Sequence, residues 1–73
     1  MENTERIVYI IEKDRQFLSF VRSYKGQVYS LFTPYKYDAV MIKKAGDARL
    51  VARKIGGSVL RFNRLDGEIK VIA

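Results

Sequence analysis

Three short polar breaks, Lys13-Asp14-Arg15-Gln16, Lys25-Gly26 and Asp66-Gly67, cut the apolar runs of this chain into segments of strand length. β-branched and aromatic residues flank each break, the punctuation of a β-hairpin. "RIVYIIEKDRQFLSFVRSY" supplies the first pair of strands. With Asp14-Arg15 at the tip, Glu12 faces Phe17, Ile11 faces Leu18 and Tyr9 faces Phe20. Tyr9, Ile11, Leu18 and Phe20 are therefore expected on one core face. "GQVYSLFTP" gives a third strand, in which Val28, Ser30 and Phe32 alternate with Tyr29 and Leu31. Pro34 closes it because its ring cannot donate to a ladder. "SVLRFNRLDGEIKVIA" gives two more strands around Asp66-Gly67. Leu60, Phe62, Ile69 and Val71 then share one face, with Arg61, Asn63, Glu68 and Lys70 opposite.

Between the hairpins the period changes. In "DARLVARKI", about 100° per residue places Ala48, Val51, Ala52 and Ile55 on one stripe. Alanine at two of these positions lets the helix axis lie close to a sheet. Gly56-Gly57 supplies a left-handed C-terminal stop, with Arg53 and Lys54 near the negative end of the helix dipole. The preceding "YKYDAVMIKKA" has two readings: Ala39 to Lys43 as a short strand, or Asp38 capping a helix that runs on into the next segment. The strand is preferred, because Gly46 would interrupt so long a helix. The expected architecture is α+β: one domain over 1–73, an antiparallel β-sheet built from hairpins, and a single α-helix at about 47–56 packed on one face.

The chain of 73 residues contains no cysteine and no histidine, so neither disulfides nor a zinc site can support its small core. The apolar run after "MENTER" is too short for a membrane span or a secretory segment. The expectation is a cytoplasmic protein with no membrane partner. Lys and Arg number 14 against 8 acids, a net charge of +6, which favours an acidic partner: nucleic acid, an anionic membrane surface or an acidic protein face.

Catalytic chemistry finds little to work with. Ser19, Ser23, Ser30 and Ser58 lack histidine or cysteine partners and a G-x-S-x-G elbow. Asp47 suits a helix first turn, Asp66 a hairpin turn and Glu68 a solvated strand face, so no metal site is expected. Gly46, Gly56 and Gly57 match no phosphate-binding loop. The reading is a non-enzyme without a cofactor.

Binding surfaces remain. "KGQVYSLF" partly echoes an RNA-recognition strand through Tyr29 and Phe32, although Gln27 and Val28 depart from it and ordinary sheet packing accounts for both aromatics. Arg49 and Arg53 are neighbours on the helix, Lys54 lies beside them, and Leu50 points away from the apolar stripe between Arg53 and Lys54. An apolar side chain ringed by cations resembles the centre of a protein contact more than a phosphate track. The candidate partner-binding residues are Arg49, Leu50, Arg53 and Lys54, extended by Tyr35, Lys36 and Tyr37 of the aromatic-basic "YKY". The exposed C-terminal edge "EIKVIA" is a candidate for homodimer pairing.

"YDAVMIKKAGDARLVARKIGGSVLRF" and the opening "IVYIIEKDRQFLSF" resemble small early-region proteins of temperate phages of staphylococci and related Gram-positive bacteria. The shared pattern is a tyrosine-rich strand, Asp38-Ala39, Asp47-Ala48 with Val51-Ala52 and Ile55-Gly56-Gly57, then a strand led by Val59. Arg49 and Arg53 make this helix more basic than the pattern. The resemblance implies a non-enzymatic accessory factor in the host cytoplasm that binds a host or mobile-element protein as inhibitor, modulator or derepressor. The alternative is a small basic protein that binds nucleic acid mainly through phosphates.

Overall fold

The computed structural model describes residues 6–72; residues 1–5, ahead of the first apolar run, and Ala73 lie outside them. In chain order come β1 (Ile7–Lys13), β2 (Gln16–Tyr24), β3 (Gln27–Thr33), a 3-10 turn (Lys36–Asp38), α1 (Ala45–Ile55), β4 (Ser58–Asn63) and β5 (Ile69–Val71). The strands form one antiparallel sheet in the order β3-β2-β1-β4-β5, with α1 packed against it. The α+β class with a single helix is the one the sequence implies.

Two hairpins turn where the polar breaks fall. Asp14 and Arg15 have φ of 54° and 68°, Lys25 and Gly26 of 51° and 79°. Left-handed conformation at both central residues gives a two-residue turn whose twist matches that of the strands. Glu12 faces Phe17 as expected. The third hairpin is looser. Phe62 pairs with Ile69 and Leu60 with Val71, so the loop spans 64–67 rather than only Asp66-Gly67. The Asn63 carboxamide oxygen accepts from the Leu65 amide, and Gly67, at φ 78°, donates its N–H to the Asn63 carbonyl. The register moves by two residues, which keeps Leu60, Phe62, Ile69 and Val71 on one face.

The first hairpin departs from expectation. β1 and β2 pair only at Glu12/Phe17 and Lys13/Gln16. Beyond that they diverge, and the chain after the 3-10 turn lies between them. Tyr9 exchanges both main-chain hydrogen bonds with Ile42, at 2.7 and 2.9 Å, and the Val40 N–H donates to the Leu18 carbonyl at 2.8 Å. Tyr9 therefore does not pair with Phe20, nor Ile11 with Leu18. The 39–43 segment is not helical: it forms an isolated bridge at Ile42, and α1 begins only at Ala45.

A β-bulge causes the second departure. Leu18 pairs with Phe32, but the next pair is Phe20 with Leu31, so Ser19 is an extra residue. Its hydroxyl donates to the Leu31 carbonyl at 3.1 Å. Leu18 and Val21 consequently both face the core, while Phe20 turns to the opposite side and is 46% exposed. Phe20 is a surface residue, not the core member the alternation implies.

The centre of the fold is the β1–β4 pair, covered on both faces. On one face Ile11, Leu18 and Val59 pack beneath Ala48, Ala52 and Ile55 of α1. On the other, Val8, Ile10, Leu60 and Phe62 pack with Ala39, flanked by Phe17 and Met41. The helix stripe is as its period predicts, with Val51 half-buried. Gly56 ends it at φ 78°, donating its N–H to the Ala52 carbonyl. Gly57 runs so close to β1 that a Cβ would lie 2.8 Å from both the Glu12 oxygen and Ile11 Cγ2.

Candidate interaction surfaces

On the outer side of α1, Arg49, Leu50, Arg53 and Lys54 are all exposed, Leu50 at 56%. The helical period explains this, since the buried Ala48, Ala52 and Ile55 fix the opposite stripe. Arg49 and Arg53 line one wall of a shallow open groove with Ala52, Gly57 and Val59.

Lys36 and Tyr37 do not extend this patch. Lys36 is half-buried; its ammonium donates to the Gly67 carbonyl and lies 5.9 Å from the ring centres of both Tyr37 and Phe62. The Tyr37 ring meets Phe62 edge-on at 5.2 Å. Phe62 belongs to the core layer on the side of the sheet away from α1. Alternation along β4 thus puts Lys36 and Tyr37 across the sheet from Arg49 and Arg53. Lys36 ties the segment after β3 to the last hairpin, while the Tyr35 side chain is 66% exposed.

The β2–β3 hairpin forms a projecting arm with a surface that sequence reasoning missed. Phe20 faces Leu31, Arg22 faces Tyr29 and Tyr24 faces Gln27, so these six side chains share the face away from α1. Leu31 is 63% exposed, with Tyr24 and Tyr29 each about half exposed. The Arg22 guanidinium lies 5.8 Å from the Tyr24 ring centre and the Lys25 ammonium 5.3 Å from it, within cation–π reach. Tyr29 donates its hydroxyl to Gln27 Oε1 at 2.8 Å. Arg22, Tyr24 and Tyr29 line an open hollow. No aspartate or glutamate occurs between Asp14 and Asp38, so no acid within the arm offsets its cations. That acid-free run, with the alternation that sets Tyr29 and Leu31 on one face of β3, was the sequence signal for this surface. The bulge that exposes Phe20 has none. Tyr29 and Phe32 point to opposite faces of β3, Phe32 toward the helix-side core, so they do not form one stacking platform.

Among the described residues, no three acidic side chains converge as a metal site would require, and no helix is long and apolar enough to cross a membrane. No protein-family model, curated protein or solved structure matches the chain.

Proposed function

We propose that this chain is a non-enzymatic accessory factor of a temperate phage, acting in the host cytoplasm by binding an acidic face of a host or mobile-element protein. The observation that carries this reading is the outer face of the arm, where Phe20, Tyr24, Tyr29 and Leu31 surround Arg22 in the open. Aromatic residues and arginine dominate binding energy at protein contacts, and desolvating them against carboxylates gives both burial and directional bonds. The absence of histidine and cysteine supports the non-enzymatic part. The test is capture from a staphylococcal lysate with three variants. Tyr29→Asp/Leu31→Asp is expected to stay folded by circular dichroism and lose the partner, Leu50→Asp to weaken capture less, and Lys70→Ala to leave it unchanged. Retention by the arm variant with loss by Leu50→Asp would move the site to the helix.

A second reading rests on the acid-free run from Arg15 to Tyr37 and the net charge of +6: binding of nucleic acid through phosphates. It requires weak, largely sequence-independent binding that falls steeply with salt. Titration with duplex and single-stranded oligonucleotides at low and physiological salt decides it, and absence of binding at low salt removes it.

A further inference from the structure

β3 is an edge strand of seven residues with nothing on it to discourage a neighbour. Edge strands are ordinarily blunted by charge, proline, a bulge or brevity. The sequence Gln27–Thr33, QVYSLFT, has no charged residue and no proline, and the bulge lies on β2. The opposite edge is different: β5 has three residues with Lys70 at the centre, so a self-pair centred there sets lysine against lysine.

We propose that β3 pairs antiparallel with β3 of a second copy about a twofold axis at Ser30, giving a closed dimer with a continuous sheet. Main-chain parity permits it. The two-residue turn at Lys25-Gly26 makes Tyr24/Gln27 a hydrogen-bonded pair, so Gln27, Tyr29, Leu31 and Thr33 direct their N–H and C=O toward β2. Val28, Ser30 and Phe32 direct theirs outward. A twofold axis at Ser30 places a hydrogen-bonding pair on the axis, as an antiparallel ladder requires.

The side chains permit it as well. Ser30 is the central residue of Gln27–Thr33, so the two strands overlap along their whole length. Val28 then faces Phe32 of the second copy, Tyr29 faces Leu31 and Gln27 faces Thr33. Each pair matches apolar with apolar or polar with polar, and no like charges meet. Roughly six main-chain hydrogen bonds form across the axis. Because both copies use the same edge, the assembly closes at two and does not propagate. The interface lies at the low end of specific contacts, so the dimer is expected at roughly micromolar concentration and above. It sets the two arm faces side by side, widening the surface described above without depending on its partner.

Sedimentation velocity of the full chain from low to several hundred micromolar tests this. Wild type is expected to pass from monomer to dimer and no further. Ser30→Pro removes only an outward N–H, so the chain stays folded by circular dichroism and monomeric. Tyr29→Lys/Leu31→Lys sets lysines across the axis and weakens association about tenfold or more. Tyr29→Glu/Leu31→Lys restores most of it, because position 29 faces position 31 of the other copy. This exposed pair carries the test of register even if Ser30→Pro misfolds. A wild-type monomer at every concentration would leave the edge to a strand of another protein and overturn the proposal. So would growth beyond the dimer, or a charge swap no better than the double lysine.

Discussion

The β1–β4 pair and the β2–β3 arm are built from the same kind of sequence, alternating apolar residues bounded by turns, and meet opposite fates. The first is covered on both faces, by α1 on one side and by Ala39, Met41 and the Tyr37 ring on the other. The second leaves its outer face to solvent, with Leu31 more exposed than Phe20 beside it. Alternation decides which residues share a face. Whether that face is buried depends on what the rest of the chain lays over it, and one helix with one wedge covers only the centre of this sheet. The large side chains left over on the arm contribute little to folding, which makes them available for binding.

Substitution measures that contrast directly. Phe62 is fully buried against Tyr37 and the Val8–Ile10–Leu60 layer, so Phe62→Ala is expected to cost about 3–5 kcal/mol in denaturant unfolding. A loss below about 1 kcal/mol would mean the second core layer is not packed as described. Gly57→Ala is intermediate. Its methyl group would sit 2.8 Å from main chain at Glu12, so the helix-to-β4 connection must shift, at roughly 1–3 kcal/mol. Phe20→Ala, also a large aromatic residue on a strand, is expected to stay within about 1 kcal/mol of wild type, because truncation there opens no cavity. A cost for Phe20→Ala close to that for Phe62→Ala would erase the distinction between arm and centre.

The sequence made the central layers legible and the arm less so, for local reasons. Turn residues marked the tips at Asp14-Arg15 and Lys25-Gly26, and the 3.6-residue period identified Ala48, Val51, Ala52 and Ile55. Leu60, Phe62, Ile69 and Val71 stayed on one face despite the longer loop, because a two-residue slip preserves parity. What period and propensity do not encode is a single inserted residue. Ser19 is an ordinary strand serine in sequence, yet the bulge it creates sends Phe20 outward. Nor does hairpin logic anticipate that Val40 would bond to Leu18 in place of Ile11, and Ile42 to Tyr9 in place of Phe20. Of the candidate site, Arg49, Leu50, Arg53 and Lys54 lie together because the helical phase was readable. Lys36 and Tyr37 lie across the sheet because their position depends on contacts with Gly67 and Phe62, some thirty residues on.

Native-state amide hydrogen exchange, at a concentration low enough to keep the chain monomeric, tests the division most directly. Ile10 and Leu60 pair at the centre of the fold, whereas Arg22 and Tyr29 pair within the arm. The account predicts that the Ile10 and Leu60 amides exchange only through global unfolding, with Arg22 and Tyr29 exchanging much faster through local opening of the arm. Arg22 and Tyr29 amides as slow as those of Ile10 and Leu60 would show that the arm is part of the stable core, and would contradict the reading of its outer face as a surface held out for binding.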